Sequence, residues 1–218
     1  MNENQLRSEV CRVGRSLHAR GYVHGTTGNV SVRLADGVLI TPTDASLGEL
    51  ELDALVKVDV AGAAPPGARP SKTLQLHRRI YAATSEAGCI IHTHSHHLVA
   101  ASLLAPDACE DLLPPITPYF VMKVGHVPLL AYRRPGAAEV ADDVVAAIER
   151  AAARGAPIRA VMLARLGPNV WHPTPAGAMA VLEELDETAR LWLACSPRPA
   201  PLLPDAIEEL RQHFGARW

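Results

Sequence analysis

Cysteine is scarce and unpaired in this sequence. The 218 residues contain four, Cys11, Cys89, Cys109 and Cys195, and no two of them form a C-x-x-C pair. A disulfide scaffold is not expected at this size, and the pattern suits a reducing cytoplasm. Aromatic residues are only 4% of the chain, and Trp171, Trp192 and Trp218 show no spacing that would stack on bases. Charge of one sign is missing too: 21 Lys and Arg oppose 23 Asp and Glu, a formal net charge of −2. That balance argues against nucleic acid or an anionic membrane surface as the main partner. No run approaches the ~18 apolar residues that cross a bilayer. The opening MNENQLRSEV has no basic stretch followed by an apolar one, so no signal peptide is expected. Neither G-x-G-x-x-G nor G-x-x-x-x-G-K-[ST] occurs, which removes the main support for a dinucleotide or nucleoside triphosphate site.

What is present is a globular composition, 48% hydrophobic and 20% charged, long enough for a real core. Leu6, Val10, Val13 and Leu17 predict an opening amphipathic helix. Asn29 to Arg33 and Val38 to Ile40 read as a hairpin turning at Asp36-Gly37, with a third strand over 56–60. Pro70-Ser71 opens a helix that Ser71 could cap. Further strands are expected at 89–94, 119–124, 127–132 and 160–164, and helices from 95, at 139–153, at 174–195 and from 205. The reading is one α/β domain, residues 1–218, with helices packed on a largely antiparallel sheet.

The strongest chemical signal is His92-Thr93-His94-Ser95-His96-His97. On a strand, His92 and His94 point to one face, ~7 Å apart at their roots, and can converge on one divalent cation such as zinc. A histidine run that holds no ion is the alternative, and a third ligand is not evident from spacing. His96, His97, His126 and Asp44 are conceivable substitutes. The GTTGNVSVR stretch, 25–33, could present amides to an anion or be a plain turn. Ser71 and Lys72 at a helix start could meet a phosphate or simply be a cap and a solvated lysine. Glu183, Glu184, Asp186 and Glu187 read as the solvated face of the long helix.

Taken together, GTTGNVSVR, LITPTDASLGEL, PSK-x-x-x-x-H, IIHTHSHHLVAAS and VMLARLGP resemble the class II aldolase/adducin family. TPTDASLGEL, Lys72 within PSK and LPPITPYFVMKVG look most like its 3-oxo-tetronate 4-phosphate decarboxylase branch. The resemblance implies a metal-dependent carbon–carbon lyase acting on a phosphorylated sugar acid and releasing dihydroxyacetone phosphate and CO₂. It further implies that His92 and His94 bind the metal, that Asn29, Thr43, Asp44, Ser71 and Lys72 line the substrate and phosphate pocket, and that Tyr119 assists proton transfer. A homotetramer with sites between subunits is also implied. Two positions depart from the family pattern: Thr73 stands where the pattern has its catalytic glutamate, and Leu166 where it has the third metal histidine. A related lyase with altered chemistry and a non-catalytic binding or assembly member are the other outcomes this pattern allows.

Overall fold

Helix α1, Glu3–Ala19, begins where Asn2 caps it: the Asn2 carboxamide accepts from the Gln5 amide, and the Gln5 side chain accepts from the Asn2 amide. Its Val10, Val13 and Leu17 are buried, as their spacing predicts. The computed structural model describes residues 1–218. Next come β1 (Asn29–Leu34), β2 (Gly37–Ile40) and β3 (Val56–Asp59), then α2 (Leu74–Ala83), β4 (Cys89–His92) and α3 (His96–Leu104). A π-helical turn, Phe120–Val124, leads to β5 (Leu129–Leu130), α4 (Glu139–Ala153), β6 (Ala160–Leu163), β7 (Gly167–His172), α5 (Pro175–Ala194) and α6 (Pro204–Phe214). The seven strands form one sheet in the order β3-β2-β1-β4-β7-β6-β5, and only the β5–β6 pair is parallel. The expected α/β architecture with a largely antiparallel sheet and flanking helices is therefore the observed one.

Strand alternation divides the core in two. Val30, Val32, Cys89, Ile91 and Val170 face one way and pack with α1, α3 and α5. Ile90, Val161 and Trp171 face the other way and pack with α2 and α4. On β4 that alternation continues into His92, which shares the face of Ile90. The sheet thus carries a polar site at the end of its α2/α4 face.

Several local expectations are corrected. The segment 119–124 is helical, because buried Phe120, Val121 and Val124 all find partners in one tight turn whose amides close locally. Only Leu129–Leu130 of the strand expected at 127–132 pairs with the sheet. The hairpin turn sits at Ala35-Asp36, since Leu34 already pairs with Gly37. Ser71 does not cap α2: the helix starts at Leu74 with Thr73 at its N-cap, and Ser71 belongs to the turn before it. The acidic group on α5 is not uniformly solvated, for Asp186 is buried and accepts from His97 at 2.8 Å.

Candidate active site

The loop before β1 closes against β4 because Gly28 has φ +80, and a Cβ there would meet the His92 carbonyl at 2.9 Å. That close approach puts Asn29 beside His92 in the β1–β4 register. The turn before α2 returns to the same place, since the Ser71 amide donates to the Thr41 carbonyl. A cavity of about 650 Å³ results, with the segment around 130–141 as its far wall. Asn29, Thr43, Asp44, Ser71, Lys72, His92 and His94 all line it, together with Thr73 and Leu166. Tyr119 does not; its side chain is exposed elsewhere on the chain.

His92 is buried, and its Nδ1 donates to the Pro168 carbonyl on β7 at 2.9 Å. A carbonyl can only accept, so this bond fixes the tautomer and leaves Nε2 with its lone pair free. The His92 and His94 rings lie 5.0 Å apart between centroids at 71°. Two imidazoles on one tetrahedral ion, with nitrogens about 2 Å from it, sit roughly that far apart. Burial, then the neighbouring His94, pulls the His92 pKa down to about 4. Burial and then His24 also lower that of His94. Both are therefore neutral at pH 7, the form that binds metal. The pair fits a divalent cation as two of its ligands.

The chain's own third ligand is absent. No three His, Cys, Asp or Glu side chains gather closely enough to hold an ion. His97 is bound to Asp186, His126 is bound to Asp111 at 2.8 Å and stacks on Trp218, and His96 lies against His97. Asp44 faces Arg69 and Lys72, each at 3.6 Å. One imidazole missed by sequence reasoning, His24, reaches to 6.4 Å from the His94 ring, on the exposed loop before β1. Leu166 fills the cavity wall beside them with an apolar side chain. At the other departure, the Thr73 hydroxyl donates to Asn29 Oδ1 at 3.0 Å and touches the Ser71 hydroxyl at 3.0 Å. A neutral hydrogen-bond chain thus occupies the place where the family pattern has a carboxylate.

Two more polar features went unseen in the sequence. Behind His92, buried His77 shares a hydrogen bond with Ser31 at 2.7 Å, and Ser31 another with Tyr81 at 2.8 Å. Asn169 on β7 is wholly buried, and neither atom of its carboxamide has a partner. Leaving such a group unmade costs about 1–3 kcal/mol. Reading β7 as a strand would have flagged it, because Asn169 is the one amide within a buried run.

Burial holds the His77 pKa at about 3. His77 and His92 both titrate below their unfolded value near 6.5, so the unfolded chain binds more protons as pH falls beneath it. Their stabilising effect is full above pH 6.5 and is lost on acidification towards 3–4. Urea midpoints taken with a chelator present should fall between pH 7 and pH 5. The slope should approach about 1.4 kcal/mol per pH unit for each histidine. Equal midpoints at both pH values would mean that these imidazoles take protons without unfolding.

The model of the class II aldolase and adducin N-terminal domain matches residues 8–193. The chain belongs to this family. A Cupriavidus necator protein named 3-oxo-tetronate 4-phosphate decarboxylase is 51% identical over 221 residues, covering 99% of each chain. One of the same name from Pectobacterium atrosepticum is 38% identical, over 96% of this chain and 94% of that one. Among solved structures, YgbL from Klebsiella pneumoniae, described as a putative aldolase/epimerase/decarboxylase, superposes with a TM-score of 0.85. It is 39% identical over 97% of this chain and 100% of its own. A second depression of about 700 Å³, beside His126 and Trp218, contains none of the family's motif residues. Its Arg133, Arg154 and Arg217 are already engaged by Asp143, Glu110 and Glu86.

Proposed function

We propose that this chain is a divalent-metal-dependent lyase that decarboxylates a 3-oxo-tetronate 4-phosphate-like acid to dihydroxyacetone phosphate and CO₂. The observation that carries the reading is one cavity joining an open imidazole pair, His92 and His94, to the Ser71–Lys72 turn. Zinc is the cation proposed for the imidazole pair, and when bound it would supply Lewis acidity to a carbonyl. Lys72 and the amides and hydroxyls around Ser71 are assigned to the phosphate; Asn29, Thr43 and Asp44 are assigned to the rest of the substrate.

Loss of the glutamate is compatible with this chemistry. An aldolase needs a base to move protons at carbon or hydroxyl, whereas a β-keto acid sheds CO₂. The C1–C2 electron pair becomes the C2–C3 enolate, and C2 then takes one proton. No carboxylate base is needed to begin. The required acid is assigned to Tyr119 from a neighbouring copy, because Tyr119 is exposed and lies outside its own chain's cavity. A cytoplasmic homotetramer with sites between subunits is the corresponding assembly.

Thr73 and Leu166 favour a second reading, a member that binds phosphorylated sugar acids without turning them over. Assay of 3-oxo-tetronate 4-phosphate by release of dihydroxyacetone phosphate separates the two. Turnover that a chelator stops and zinc restores supports the lyase. Binding without turnover in zinc-loaded protein supports the second reading and ends the first.

A further inference from the structure

Five of the six residues of β7 are buried, and Asn169 brings the single carboxamide among them. It pairs with His92 across the β4–β7 ladder and with Val161 across β6–β7. Directly paired residues share a sheet face, so the amide stands beside the His92 side chain, on the face that forms the cavity floor. Asn169 belongs to the cavity lining while being wholly buried, and both Oδ1 and Nδ2 lack any partner in the protein. Asn29, one strand further along the same row, differs: its Oδ1 already accepts from Thr73. Of the buried side chains with unpartnered polar atoms, Asn169 alone belongs to the cavity lining.

The chemistry of that capacity is specific. A carboxamide accepts at oxygen and donates at nitrogen. A phosphate or carboxylate could answer only the nitrogen, and a cation only the oxygen. A hydroxyl answers both. We propose that Asn169 reads a hydroxyl of the phosphorylated substrate, the one retained in dihydroxyacetone phosphate after CO₂ leaves, and so sets specificity against deoxy analogues. This rests on the lyase reading given above and names a residue that selects its substrate. A site built to hydrogen-bond a hydroxyl rejects the analogue lacking it, because its own polar atoms are then left unpaired.

Calorimetric titration of the zinc-loaded protein with dihydroxyacetone phosphate and with acetol phosphate, which lacks that hydroxyl, tests the proposal. The parent should prefer the hydroxylated ester by at least about tenfold. In Asn169→Val the preference should shrink to near one, through weaker binding of dihydroxyacetone phosphate and unchanged binding of acetol phosphate. The same variant, free of ligand, should melt at the parent's temperature or above it, because an unpaired buried amide has been removed. A preference retained in Asn169→Val overturns the proposal. So does a melting point lowered in both Asn169→Val and Asn169→Ala, which would mark the amide as bridged by buried water to hold the fold. A parent that binds neither ester overturns the lyase reading and this inference with it. Binding of both esters without preference overturns the inference alone.

Discussion

His94→Ala is expected to lower affinity for zinc by at least about 100-fold while leaving the fold intact. The magnitude follows from ligand chemistry. Losing a group that merely orients a ligand costs 10–100-fold in affinity, and a direct ligand counts for no less. With the chain offering two imidazoles and no third His, Cys, Asp or Glu close enough to complete a site, removing one leaves a single nitrogen. The fold should survive because His94 lies just past the end of β4 and is only partly buried. Equilibrium dialysis followed by elemental analysis reads the metal, and circular dichroism reads the fold. Equal zinc content in variant and parent would remove His94 from the ligand set.

The second large effect runs in the opposite direction. Leu166→His should raise zinc affinity by at least about 100-fold, since it would add a third imidazole and leave one position open. Leu166 lines the same cavity as His92 and His94, so the new ring begins on the correct wall. Thr73→Glu would replace the hydroxyl that now donates to Asn29 with a carboxylate. Combining the two should yield aldolase-type turnover of a phosphorylated ketose that neither single change gives, because such groups act as a unit. Zinc titration and an aldol-cleavage assay of all four proteins check this. If Leu166→His binds zinc no better than the parent, the side chain at 166 does not reach the ion.

The fold was legible where side-chain periodicity is strong. The capped α1, the β1–β2 hairpin and α4 came out close to their observed limits, because each is decided by its own pattern of apolar residues. The segment from 119 to 132 did not. Its near-continuous run of apolar and β-prone residues mimics a strand, yet Phe120, Val121 and Val124 are buried together in a turn packed against α5 and α6. Of the candidate site residues named from motifs, all but Tyr119 line one cavity. What stayed hidden depends on pairing across strands. The Pro168 carbonyl behind His92, the unmet amide of Asn169 and the approach of His24 to His94 arise between segments far apart in the chain. Local spacing encodes neither the carbonyl contact nor the approach of His24, and it marks Asn169 only once β7 is read as a strand.

The bond from His92 Nδ1 to the Pro168 carbonyl has a consequence for how this site can change over time. The β6–β7 hairpin contributes to the site by two separate routes, a backbone oxygen at 168 and a side chain at 166. A point substitution can exchange the side chain, but every amino acid carries the same carbonyl. The orientation of His92 is therefore insulated from drift at Leu166, and so is the Gly28 contact that seats Asn29 beside it. Whatever side chain stands at 166, the apparatus that aims His92 is kept. A change of ligand set at 166 is therefore one residue wide and does not require rebuilding the sheet.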